Sequence, residues 1–261
     1  MTLTKREGSL LRDSKTMFIR SIMLALRSPE AVAVALLVPA ALMVVFVYVF
    51  GGAMDVGYGI SVVNFIVPGI ILQTVGQGVP AVTVRLNNDM TKGVVDRFRT
   101  MPIAKSSILV GHVLATLVQS LITVAATIGA ALVVGFRPSA GLIDWLIVTG
   151  ILVLYIIMMA WLATLTAVHS KDPESAAGLM ALVGMLPFLS SGFVPTDTMP
   201  TVLRVFAENQ PMTPIINTVR ALLLGNPIPD GALRNALLWC VGLTIVFYAL
   251  ALHIYKRKTM R

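Results

Sequence analysis

The 261 residues are 57% hydrophobic and only 12% charged, with twenty Lys and Arg against twelve Asp and Glu and a formal net charge of +8. Soluble domains carry about 25% charged residues, so this chain has about half the charge needed to cover a water-facing surface, and a lipid-facing surface removes that need. Cys240, the single cysteine, excludes an intramolecular disulfide.

In chain order, residues 10–27 come first. Arg12, Thr16, Arg20 and Arg27 fall on one helical face, with Leu11, Phe18, Ile22 and Ala25 on the opposite one. This pattern predicts an amphipathic helix in the cytoplasmic interface before Pro29 turns the chain inward; the plainer alternative is a basic flank that only sets topology. Residues 31–50 then run without a charge, matching the ~20 residues needed to cross a hydrocarbon core. They start too late and run too long for a cleaved leader. Further apolar runs follow at 62–84, 106–134, 142–168, 176–193 and 236–255. Pro39, Pro68, Pro80 and Pro187 lie within these runs and are expected to kink helices without removing them from the membrane.

Residues 194–235 form a long connection punctuated by Pro195, Pro200, Pro211, Pro214, Pro227 and Pro229. Two helix-like stretches, 201–207 and 215–224, lie between the prolines. The second is too short to span, so it is either re-entrant or lies on the outer surface. Loops of this length tend to be functional.

The basic residues orient the chain. Sixteen of them fall in the N-terminal segment, the 85–105 loop, Lys171 and the C-terminal tail; the other side holds Arg137, Arg204, Arg220 and Arg234. The positive-inside rule puts both termini in the cytoplasm with an even number of spans. The charge is therefore topological, and nucleic acid is not an expected partner. The expected fold is all-α integral membrane: six transmembrane helices preceded by the interfacial helix. It forms a single domain over 1–261, divided into residues 1–30, the bundle 31–255 and the tail 256–261.

The chemistry available is limited. No phosphate-binding loop, nucleophile elbow or metal-spaced Cys/His cluster occurs, so no catalytic or metal-ligating residue is assigned. Among the expected spans the only charged residue is Asp144, near the outer end of the fourth. Ion-coupled carriers usually place acidic or basic groups within their spans, so energy is expected to enter from outside them. The candidate entry point is the loop at 93–102. Val94, Val95, Phe98 and Met101 form an apolar stripe, Asp96, Arg97 and Arg99 point elsewhere, Gly93 permits a sharp entry and Pro102 ends the helix. Such a helix either docks in a partner's groove or rests on lipid headgroups.

The stretch Gly93-Val94-Val95-Asp96-Arg97-Phe98-Arg99-Thr100-Met101-Pro102 resembles the first cytoplasmic loop of ABC-2-type exporter permeases, closest to daunorubicin-resistance-type membrane subunits. Ser191-Gly192-Phe193-Val194-Pro195, Met199-Pro200, Asn209-Gln210-Pro211-Met212-Thr213-Pro214 and Val219-Arg220 through Gly225 resemble the same family. The resemblance implies a plasma-membrane exporter subunit that binds no cofactor, with ATP and Mg held by a separate ATPase subunit. Two ATPase copies and a second permease, identical or paralogous, would complete the assembly within membrane lipid. Gly93, Val94, Val95, Asp96, Arg97, Phe98, Met101 and Pro102 would form the coupling helix. Pro195, Pro200, Pro211, Pro214 and Arg220 would belong to an external gate. Met43, Phe46, Gln73, Gln77, Met180 and Met185 are candidates for the substrate path, with ordinary bundle packing as the alternative. The cargo class expected is a hydrophobic or amphipathic drug or lipid; glycolipid or polysaccharide export is the alternative within the family. An ATP-independent carrier and a non-transporting assembly subunit are the alternatives outside it.

Overall fold

The computed structural model describes residues 29–52, 61–91 and 107–259, and among them the regular structure is all helical, with no strand. The amphipathic segment 10–27 and the loop 93–102 lie outside the described residues. Helix α1 is Pro29–Val44 and runs into a π-helical turn, Val45–Val49. Helix α2 is Val62–Thr91, α3 Ser107–Val134, α4 Leu142–His169 and α5 Pro173–Gly184. Two 3₁₀ turns, Leu186–Leu189 and Thr196–Thr198, lead to α6 Thr201–Asn209, α7 Met212–Leu224 and α8 Ala232–Thr259.

Four of these helices, α2, α3, α4 and α8, are long and apolar enough to cross a membrane; Leu37–Val49, Pro173–Leu189 and Met212–Leu224 are shorter apolar segments. Backbone groups in lipid must be satisfied within the segment, which selects helix even for the Val- and Ile-rich stretches of α3 and α4. Local chemistry fixes where the helices start and stop. Asp144, the one charge in the expected spans, accepts a hydrogen bond from the Gly141 N–H at 2.9 Å and so closes the first turn of α4. Asp172 caps α5 by accepting from the Ser175 N–H at 2.7 Å, with Pro173 behind it. That backbone hydrogen bond holds the Asp172 carboxyl below the usual carboxylate range. Gly225, at φ 65°, ends α7 in the left-handed conformation that favours glycine.

Helix α2 is the centre of the bundle and packs against α1, α3, α4, α5 and α7. Its residues Phe65 to Val75 are buried without interruption. Helices α3 and α8 lie outside and expose Ile122, Val133, Leu238 and Ile245, as lipid contact requires. Helix α2 continues through Pro68 and Pro80, as the sequence predicts.

The fifth apolar run differs from its expected form. It is not one kinked helix over 176–193: α5 stops at Gly184, Leu186–Leu189 forms a 3₁₀ turn, and residues 190–193 are a turn. Pro187 has no N–H for the next helical bond and its ring obstructs the preceding turn, while Ser190 Oγ donates to the Pro187 carbonyl at 2.5 Å and stabilises the turn that follows.

Two glycine contacts set the height of this segment. Asn87 Nδ2 donates to the carbonyls of Ala167 (2.8 Å) and Ser170 (3.3 Å), fixing the α4–α5 corner at one end of α2. From there α5 runs back along α2 until Gly184 meets Gly76, and the turn beyond brings Gly192 onto Gly69. At ~1.5 Å per residue, Asn87 to Gly69 is about 27 Å along α2, close to the ~30 Å of a hydrocarbon core. Broken as it is, the segment covers nearly that height.

Candidate functional site

At the Val62 end of α2, three elements converge on Arg220 of α7. Its Nε donates to the Phe65 carbonyl of α2 at 3.0 Å, Nη1 to Asn217 Oδ1 at 3.0 Å, and Nη2 to the Ser191 carbonyl at 2.5 Å, with the Gly192 carbonyl at 3.5 Å. The guanidinium also lies 4.0 Å above the Phe65 ring, a cation–π contact strengthened by partial desolvation. All the acceptors are neutral oxygens, and no carboxylate pairs with Arg220 among the described residues. The five-donor fork suits this role, since a lysine could not hold three elements in one plane.

Ser191 is the common partner. Thr213, Asn217 and Arg220 stand at i, i+4 and i+7 on α7 and all close on it. The Ser191 N–H donates to Thr213 Oγ1 at 3.3 Å and its Oγ donates to Asn217 Oδ1 at 2.7 Å. Thr213 Oγ1 in turn donates to the Ala207 carbonyl of α6 at 2.5 Å. The corner between α6 and α7 is held lower, where Gln210 Nε2 donates to the carbonyls of Leu189 (2.5 Å) and Leu186 (3.3 Å). The far end of α7 is tied to the α3–α4 connection by the Ser139 N–H, which donates to the Leu223 carbonyl at 3.0 Å. The α6–α7 hairpin is therefore fastened at its corner, its middle and its end. Above Arg220 an open cavity of about 500 Å³ is lined by Phe65, Ser191, Asn217, Arg220, the 195–197 turn and the 226–229 loop.

Residues 12–224 match the family described as ABC-2 type transporter. The chain belongs to that family. It is 29% identical over 225 residues to the daunorubicin resistance ABC transporter permease protein DrrB1 of Streptomyces coeruleorubidus, covering 85% of this chain and 78% of that one. It is 27% identical over 212 residues to a probable doxorubicin resistance ABC transporter permease protein, DrrC, of Mycobacterium tuberculosis, covering 81% and 76%. The protein is thus a multi-pass ABC-2 permease, a transport subunit without an ATPase domain, and family membership implies an ATPase partner subunit.

The structure places the residues singled out from this ABC-2 permease's sequence in three groups. Of the gate set, Arg220 and Pro195 line the cavity. Pro200 and Pro211 precede α6 and α7, and Pro214 lies buried in the first turn of α7. The path set is divided: Met43 and Met180 are buried in the main core, Gln73 is buried, and Gln77 and Met185 are exposed. Phe46 joins an aromatic row with Phe193 (4.8 Å) and, beyond it, Phe188 (4.7 Å), linking the π turn of α1 to the turn after α5. Gln73 Oε1 is buried without a hydrogen-bond partner among the described residues. The coupling set, Gly93 to Pro102, lies outside them. Sequence reasoning missed Ser191 and Asn217 as Arg220 partners; a lone arginine in the apolar stretch 215–224, three residues after an asparagine, is the signal that points there.

Proposed function

We propose that this permease subunit exports a hydrophobic or amphipathic substrate, a drug-like molecule or a lipid, from the cytoplasm or inner leaflet. The observation that carries this is the family match joined to spans almost free of charge: such spans suit an apolar cargo and leave ATP hydrolysis on a separate subunit to drive the cycle. Daunorubicin and doxorubicin resistance, named for two relatives, supports a planar, amphipathic drug as first candidate.

In this reading α1 with its π turn is the first span and the broken segment from Pro173 to Phe193 the fifth, giving six crossings with both termini cytoplasmic. The α6–α7 hairpin is re-entrant from the outside, dipping to Gln210 and returning to Gly225. Held to α2 and to the turn after the fifth span, it moves with them as part of an outer gate. Two permeases and two ATPase subunits form the working assembly. The 93–102 helix transmits closure of the ATPase pair, with Val94, Val95, Phe98 and Met101 buried in it.

The test is transport in proteoliposomes containing the permease and its phosphate-loop ATPase partner subunit. Doxorubicin fluorescence should report vectorial movement that requires both proteins and ATP. Equal flux without ATP would return the chain to the class of ATP-independent carriers.

A further inference from the structure

The cavity above Arg220 carries two charges of opposite sign that do not neutralise each other. Arg220 forms its floor and Asp197, exposed on the Thr196–Thr198 turn, its wall, with no ion pair between them. Asp197 also feels Arg204, whose Nε is engaged by Glu208 at 2.8 Å. Arg220 spends its Nε–H, one Nη1–H and its Nη2 hydrogens on neutral oxygens. That leaves one Nη1–H and a full positive charge uncompensated by any acid among the described residues. A partly buried cation of this kind is satisfied best by an anionic group entering the cavity. An anion alone would meet the Asp197 carboxylate, so the complementary ligand carries a cationic group beside its anion.

We propose that the cavity binds a zwitterionic phosphoethanolamine group, its phosphate at Arg220 and its ammonium at Asp197. Thr196 and Asn226 supply further polar contacts from the wall. The volume of about 500 Å³ lies within the ~300–1,000 Å³ of small-molecule sites. A primary ammonium fits better than a quaternary one. It can donate hydrogen bonds to Asp197 and to amide oxygens, whereas choline needs an open aromatic face, and the face of Phe65 is already covered by Arg220 at 4.0 Å. The position suits the headgroup of a phospholipid: Phe65 is only three residues from the Val62 end of α2, about 5 Å along the helix. A soluble phosphoethanolamine ester offers the same chemistry, and the site stands whether or not the hairpin acts as a gate.

The experiment uses the full chain and the variant Asp197→Asn, an exposed substitution in the Thr196–Thr198 3₁₀ turn and outside the α-helices. In one arm, each protein is purified from bilayers of equal phosphatidylethanolamine, phosphatidylcholine and phosphatidylglycerol, and retained lipid is counted by native mass spectrometry. Phosphatidylethanolamine should be retained about tenfold over phosphatidylglycerol, the factor expected for one charged contact of ~1.4 kcal/mol, and Asp197→Asn should bring that ratio near one. In the other arm, glycerophosphoethanolamine and glycerophosphoglycerol are added to delipidated protein in detergent and the melting temperature is read. A shift by the first alone, lost in Asp197→Asn, assigns the site to the headgroup itself. Binding in the second arm without lipid preference in the first would identify a soluble ligand of the same class. No preference in either arm, or a preference unchanged by Asp197→Asn, overturns the proposal.

Discussion

Replacing Gly69 with alanine strikes the contact on which the geometry of the fifth segment depends. A Cβ at this position would lie 2.6 Å from the Gly192 oxygen and 2.8 Å from its carbonyl carbon and Cα. Carbon contacts are comfortable from ~3.5 Å, so the seam must open by about 0.7 Å or more, and both sides are backbone that cannot rotate away. Opening moves Ser191 and Gly192, which accept from Arg220, away from α2, whose Phe65 carbonyl accepts from the same side chain. Overpacking of this kind costs ~1–3 kcal/mol, and alanine recovers ~0.5–1 kcal/mol of helix preference over glycine. The net loss, up to about 2.5 kcal/mol, corresponds to as much as roughly 5–10 °C in melting temperature at ~2–4 °C per kcal/mol for a chain of this size. Gly78→Ala is the internal control, because a Cβ there meets nothing within 4 Å, and it should melt at or slightly above wild type. Gly76→Ala, whose Cβ would sit 3.2 Å from the Gly184 Cα, should fall between them. Melting curves recorded in one detergent with fixed lipid give the order directly. If Gly69→Ala melts no lower than Gly78→Ala, the seam is not closed as described.

Arg220→Leu should orphan the Ser191 carbonyl, leave Asn217 Oδ1 with only the Ser191 hydroxyl, and destabilise the chain by about 1–3 kcal/mol, with faster hydrogen exchange confined first to 190–224; unchanged exchange there would make the cluster ornamental to stability. Cysteines at Thr91 and Thr259 should react with impermeant thiol reagents from the cytoplasmic side only and one at Thr198 from outside only, since the native Cys240 is buried. External labelling at Thr91 in intact cells contradicts the six-span orientation.

How much of this was legible in the sequence differs by element. The third and fourth spans were readable almost to the residue, because long apolar runs end at Gly, Pro or charge: 106–134 and 142–168 against Ser107–Val134 and Leu142–His169. The second extends past its apolar part to Thr91, because Asn87 finds the carbonyls of Ala167 and Ser170, partners eighty or more residues away that periodicity does not reveal. The fifth differs from the one kinked helix expected, because hydropathy persists through Leu186–Leu189 while the backbone leaves the α-helix for a 3₁₀ turn. Arg220 was singled out through the family resemblance, but its acceptors at Phe65 and Ser191 come from other parts of the chain. The path candidates were chosen by side-chain type, and type does not separate buried Met180 from exposed Met185.

In the proposed mechanism, energy from ATP reaches this subunit through residues 93–102, and Phe98→Ala tests that coupling most directly. Loss of a buried phenylalanine at such a joint should cost ~2–4 kcal/mol, or roughly 30- to 1000-fold in affinity for the ATPase. The assay is pull-down of the ATPase by wild type and variant, with ATP turnover of each complex in lipid nanodiscs. The account predicts that Phe98→Ala inserts normally, binds cargo and loses both the ATPase and cargo-stimulated hydrolysis. Undiminished pull-down and turnover would contradict it and leave 93–102 a helix resting on lipid.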